Sequence, residues 1–110
     1  MYVRVTTLQW QIGQRIEAMD EAIRIVEESI VPTAKQQPGF KGFLTLLDRR
    51  GGKLLLLTIW ETEAALKANE SSGYYREQIA KFAHLSHLYV TPPYRDIYEL
   101  IIQESTWEVS

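Results

Sequence analysis

The stretch from Pro38 to Leu66, PGFKGFLTLLDRRGGKLLLLTIWETEAAL, decides the fold. Pro38-Gly39-Phe40 opens an apolar strand, Arg50-Gly51-Gly52-Lys53 reverses the chain, and Leu54 to Trp60 forms a second strand. Directly after Trp60 the pattern changes to a helical one, with Thr62 as the cap of a short helix over residues 62–68. Successive strand residues point to opposite faces, so the parity of the turn sorts the hairpin. With an even turn, Phe43, Thr45 and Leu47 join Leu54, Leu56, Thr58 and Trp60 on one face. Phe40, Leu44 and Leu46 then join Leu55, Leu57 and Ile59 on the other. Both faces are apolar. One layer of helices covers only one of them, and a second copy of the chain is the commonest way to bury the other.

Working outward, Tyr2 to Trp10 is rich in β-branched and aromatic residues and reads as the first strand, ended by Gly13. From Gln14, the apolar residues Ile16, Met19, Ile23, Val26 and Ile30 recur at spacings of three and four, the mark of an amphipathic helix. Pro32 lacks an amide hydrogen and predicts a kink near Val31, before Pro38-Gly39 stops the helix. After the hairpin and its short helix, Ser71-Ser72-Gly73 is a break. A third helix is expected from Tyr74 to Leu88, with Tyr75, Ile79, Phe82 and Ser86 on one side. Thr91-Pro92-Pro93 ends it, and residues 96–103 read as the fourth strand. The order β-α-β-β-α-β is that of an α+β, ferredoxin-like fold, an antiparallel four-stranded sheet with helices on one face.

The chain of 110 residues suits one domain, taken as residues 1–104 with a tail over 105–110. Its net charge of −2 gives no electrostatic reason to expect nucleic acid or an anionic membrane as partner. No apolar run approaches the roughly 20 residues of a membrane span, and the strand-like N-terminus does not read as a signal peptide. Cysteine is absent, which removes disulfides and thiolate chemistry and is compatible with a reducing compartment. The expectation is a soluble cytoplasmic protein that forms a homodimer through its sheet faces. Trp107 in the tail is costly to leave in water, and the tail is expected to dock on the partner subunit.

Pro38-Gly39-Phe40 after a long helix, Gly42-Phe43 within the strand, and Leu55 to Glu61 leading into Thr62-Glu63-Ala64-Ala65-Leu66 resemble the antibiotic biosynthesis monooxygenase domain, within the dimeric α/β barrel class. The resemblance covers roughly residues 2–103 and implies two ferredoxin-like subunits joined sheet to sheet. It also implies a pocket between sheet and helices for an apolar, often aromatic, small molecule. Some members of that family oxygenate such a molecule with molecular oxygen and no metal or flavin, while others degrade haem. Many members carry a histidine where this chain has Asn69 and Glu70, and the haem-degrading ones need a histidine near the position of Ile79. Haem degradation is therefore disfavoured, and no cofactor is expected.

Cofactor-free oxygenation needs a base, a donor for a developing oxyanion and a dry pocket. Phe43, Trp60, Tyr75 and Phe82 are the candidate aromatic walls, and Arg4 is the candidate anion holder. Tyr74, Tyr98 and Asn69 are candidate hydrogen-bond donors, and His84 is the candidate base. The catalytic set is then His84, Asn69 and Tyr74. His84 and His87, three apart on a helix, lack a third ligand and read as a solvated pair rather than a metal site. Three readings stay open: a small oxygenase, a binding dimer that uses the same pocket without chemistry, and a structural subunit whose pocket is filled by its own side chains.

Overall fold

In the computed structural model, which describes residues 1–11 and 15–106, the hairpin forms one half of a four-stranded antiparallel sheet. Strand β1 is Tyr2–Gln9, β2 Phe40–Asp48, β3 Lys53–Trp60 and β4 Tyr94–Glu99, in the order β2-β3-β1-β4. Helices pack on one face, so the α+β ferredoxin-like architecture expected from the element order is the one observed. Gly13, Gln14 and Trp107 lie outside the described residues, and with them the proposed end of the first strand, the helix start and the tail's docking.

The strand registers resolve the two faces row by row. On the helix side, Ile97, Arg4, Thr58 and Phe43 form one row, and Arg95, Thr6, Leu56 and Thr45 the next. On the open side the rows are Tyr98, Val3, Ile59, Gly42; Asp96, Val5, Leu57, Leu44; and Tyr94, Thr7, Leu55, Leu46. The even-turn expectation holds for every hairpin residue but Phe40. A bulge between Phe40 and Gly42 moves Phe40 to the face of Trp60, where the two rings meet edge to face at 5.9 Å.

Helix α1 spans Arg15–Ile25, passes through one wide π turn at Val26–Ile30, and continues as α2, Val31–Ala34. Pro32 causes this. Its ring would strike the carbonyl four residues back and it has no amide to donate, so the turn before it widens and Val31 N reaches back five residues to Val26 O. The expected kink is therefore realised as a π segment. The buried stripe runs through Ala18, Met19, Ala22, Val26, Ile30 and Ala34, with Ile23 packed at its edge. Ile16, expected in that stripe, is 69% exposed, and the two alanines take the inward positions instead.

Helix α3 spans Glu63–Ser71, and Thr62 caps it by accepting a hydrogen bond from Ala65 N at 3.1 Å. Gly39 packs beneath this helix with φ +78°, and a Cβ there would lie 2.5 Å from Ala65 Cβ. Gly39→Ala therefore combines a left-handed backbone strain with a clash. We expect a loss of about 1–3 kcal/mol in chemical denaturation, a cost typical of a non-glycine residue held in that region.

The expected third helix is two pieces, α4 at Tyr74–Ala80 and a 3₁₀ segment at Ala83–Leu88. The tighter 3₁₀ turns bring Leu85 into the core beside Phe82 and leave Ser86 exposed, contrary to the single-helix reading. Strand β4 starts at Tyr94 and ends at Glu99, and Ile101 and Ile102 stand in solvent rather than in the sheet.

Past β1, Trp10 bridges to Tyr89, and their rings lie 5.7 Å apart. Neither Trp10 Nε1 nor the Tyr89 hydroxyl has a hydrogen-bond partner although both atoms are buried. Burial pushes the Tyr89 hydroxyl from the usual 10.0 up to about 12. Since the folded value is raised, its stability contribution is complete below about pH 10 and is lost as pH rises toward 12. Tyr89→Phe removes both the orphaned hydroxyl and this titration. The variant is expected to be more stable by about 1 kcal/mol at pH 7 and to unfold less steeply between pH 10 and 12.

Candidate functional site

The buried polar groups of the helix face converge on Arg4. Alternation along β1 points its side chain under the helices, where it is 3% exposed. Its guanidinium donates to Asn69 Oδ1 at 3.0 Å and lies 3.7 Å from Glu70 Oε2. It also sits 4.6 Å from the Tyr75 ring centre and 5.3 Å from that of Trp60. Asn69 is held in turn by donating to Gln37 Oε1 at 3.2 Å. Glu70 takes a two-pronged contact from Arg95, whose Nη2 to Oε1 distance is 3.1 Å, and Arg95 stacks on the outer side of Tyr75.

Tyr75 thus stands between two guanidinium groups, with its hydroxyl accepting from Thr6 Oγ1 at 3.1 Å. Trp60 is wholly buried and donates through Nε1 to Thr58 Oγ1 at 2.9 Å. Burial is the main influence that lowers the Arg4 pKa, opposed chiefly by Glu70; a guanidinium keeps its charge under such pressure. The hydrogen bond from Arg95 is the main reason that Glu70 is held below the usual carboxylate range. Desolvation raises both Tyr74 and Tyr75, so each keeps its proton at neutral pH and serves as a hydroxyl rather than a phenolate.

Within this arrangement lies a recess of about 30 Å³, lined by Arg4, Thr6, Phe43, Thr58, Tyr74, Tyr75, Gln78 and Phe82 among others. It has room for a water molecule or a single hydroxyl group, not for an aromatic ring. Outside it, a groove of about 410 Å³ is bordered by Glu70, Arg76, Pro93 and Arg95, and Tyr75 and Ile79 line both spaces. Tyr75 and Ile79 therefore stand between recess and groove.

Five of the nine residues expected at the site, Arg4, Phe43, Tyr74, Tyr75 and Phe82, line this recess. Trp60 is buried behind it, bonded to the lining residue Thr58, and Asn69 anchors Arg4 from behind. The other two lie elsewhere. His84 is exposed and pairs with Glu21 on α1 at 2.9 Å, because the 3₁₀ segment turns it toward that helix. Tyr98 is 55% exposed on the open face, since its place in β4 has the parity of Val3 and not of Arg4. Among the described residues there is no cluster of three or more His, Asp or Glu side chains placed to hold a metal ion. Sequence reading did not single out Glu70, Gln78 or Arg95. The one available signal was the spacing of Gln78 four residues after Tyr74, which puts both on one helix face.

Comparison with known proteins gives consistent relationships. The sequence signature of the family described as antibiotic biosynthesis monooxygenase matches residues 1–81. The Mycobacterium tuberculosis proteins MT2634 and Rv2557 are each 32% identical over 79 residues, 72% of this chain; that match takes up 31% of their length, so the chain spans less than a third of them. Among solved structures, the Streptomyces coelicolor monooxygenase ActVA-Orf6, in complex with nanaomycin D, superposes with a TM-score of 0.73 at 17% identity, covering 94% of this chain and 92% of that one. A protein from Deinococcus radiodurans gives 0.70 at 18% identity, covering 98% and 100%. At these identities the structural likeness speaks for the fold.

Proposed function

The chain belongs to the antibiotic biosynthesis monooxygenase family, and from that premise we propose that it binds a small aromatic compound through an oxygen seated in the Arg4 recess, as a monooxygenase-like domain that requires no cofactor. The observation that carries this reading is the buried guanidinium of Arg4, held by Asn69 and Glu70 at the wall of a recess beside two protonated tyrosines. A buried cation so placed stabilises negative charge developing on a ligand oxygen. Tyr74 and Tyr75 supply hydroxyls, and Phe43 and Phe82 supply the water-excluding wall, with Trp60 buried behind it. The complex of ActVA-Orf6 with nanaomycin D supports an organic ligand for this fold.

Among the described residues, no side chain around the recess is set to act as a base at neutral pH: Glu70 is committed to Arg4 and Arg95, and both tyrosines hold their protons more tightly than usual. On this reading the ligand binds as its neutral hydroxyl, and any oxygenation requires that proton to pass to solvent water on the groove side of the recess. His84 then stands outside the reaction, Arg4 and Tyr74 are the groups that would meet the reacting oxygen, and Asn69 positions Arg4. The same geometry without turnover is the alternative, a binding protein.

The experiment is a thermal-shift screen of hydroxylated aromatics followed by oxygen-electrode measurements on each compound that raises Tm. We expect stabilisation of the native chain and at least a tenfold weaker affinity in Arg4→Met. Stabilisation with no oxygen uptake assigns binding alone. Absence of stabilisation across the screen, or binding indifferent to Arg4→Met, refutes the site.

The functional unit is proposed to be a homodimer joined through the open sheet face, where Leu44 and Leu46 are 41% and 48% exposed beside Leu55, Leu57, Val3 and Val5. The segment 105–110 is proposed to dock on the partner subunit. No helix among the described residues is long and apolar enough to cross a membrane.

A further inference from the structure

Gln78 sits on the inward side of α4, one turn beyond Tyr74, and is 6% exposed. It lines the recess with Arg4, yet its Oε1 is buried with no hydrogen-bond partner. Thr6, Thr58 and Arg4 in the same wall are engaged: Thr6 donates to Tyr75, Thr58 accepts from Trp60, and Arg4 donates to Asn69. A buried amide oxygen without a donor weakens a fold, and an apolar side chain would fill the position at less cost. An amide oxygen only accepts, so the group that would satisfy Gln78 Oε1 is a donor.

We propose that Gln78 is the residue that selects the ligand, by accepting a hydrogen bond from a hydroxyl of the bound compound while Arg4 donates to the same oxygen. The inference rests on the small-molecule reading above and names the chemistry that the site recognises. A hydroxyl is the group that fits. It can donate to Gln78 and accept from Arg4 at once, and it occupies about the volume of one water, which is what a recess of about 30 Å³ holds. A carboxylate would satisfy Arg4 but set a negative oxygen against Gln78 Oε1, and a ketone or ether would leave Gln78 unpaired. The ring that carries the hydroxyl lies in the adjoining groove of about 410 Å³, against Ile79 and Pro93, with the Tyr75 side chain turned aside. The preferred ligand is thus a phenol or enol, rather than its ether, ketone or acid.

The test compares 1-naphthol with 1-methoxynaphthalene, which differ in the donor and retain the acceptor oxygen, by isothermal titration of the native full chain, Gln78→Leu and Gln78→Met. We expect the native protein to bind the naphthol at least tenfold more tightly than the ether. That ratio should fall below threefold in either variant, with the ether's own affinity little changed. Because the readout is a ratio within one protein, a general loss of packing does not mimic it. If Gln78→Leu fails to fold, the unbranched Gln78→Met carries the comparison. Equal binding of the two compounds by the native protein overturns the proposal while leaving small-molecule binding intact. So does a preference that survives both substitutions, since Gln78 Oε1 then serves only an internal water. If neither compound binds the native protein, the small-molecule reading of the recess fails for this class and the role of Gln78 falls with it.

Discussion

Trp60→Ala is expected to destabilise the protein by about 3–5 kcal/mol, enough to lower Tm by more than about 12 °C for a domain of this size. Trp60 is wholly buried at the end of β3 and meets Phe40 edge to face at 5.9 Å. It also stands under the Arg4 guanidinium at 5.3 Å and donates to Thr58. Truncation therefore removes the largest side chain at this end of the sheet, leaves a void between strand and helix, and strips an aromatic face from a buried cation. Trp60→Phe fills most of the volume but loses the Nε1 donor, so its cost should be nearer 1–2 kcal/mol. Equilibrium denaturation monitored by far-UV circular dichroism gives both values. A loss below about 1 kcal/mol for Trp60→Ala would mean that the space under α3 is not close-packed, and the account of the Arg4 surroundings would fall.

A charge placed at the centre of the open face is expected to dissociate the proposed dimer. Leu57 lies there between Val5 and Leu44, with Leu55 and Ile59 on the same side of its own strand. In a two-fold interface one substitution is felt twice, and Leu57→Asp would bring two carboxylates into one apolar contact. Two such burials weaken association by at least about 100-fold. Sedimentation velocity at micromolar concentration should show a dimer for the native chain and a monomer for Leu57→Asp. The helix-face control Thr45→Asp, exposed on the opposite side of the sheet, should remain a dimer. A native monomer, or a variant with an unchanged sedimentation coefficient, would refute assembly through this face.

The unequal legibility of fold and site has a physical origin. Phe43 and Thr58, which strand parity assigns to one face, fall in one cross-strand row with Arg4, because a hairpin with a four-residue turn from Arg49 to Gly52 transmits its register from end to end. Phe40 escaped that rule only through a bulge at the strand's start, where Gly42 leaves the backbone free of side-chain constraint. The helices were less readable. Whether Ala22 or Ile16 turns inward depends on how closely α1 approaches the sheet, and the switch from α to 3₁₀ at Lys81-Phe82 is what swings His84 toward Glu21. Neither event has a signature in the spacing of apolar residues.

By itself the sequence determined the order of elements, the antiparallel ferredoxin-like sheet, and an apolar face left over for a second layer, since each follows from periodicity and turn chemistry acting over a few residues. Only the tertiary structure decided the site. Arg4 meets Asn69 across 65 positions of chain and Thr6 meets Tyr75 across 69, while Glu70 joins Arg4 to Arg95, so no local pattern could pair them. It also decided that the recess is small, that Tyr75 and Ile79 stand between it and the groove, and that Gln78 is left without a donor. Those are properties of how side chains from separate elements divide one volume, and that division is settled when the layers pack.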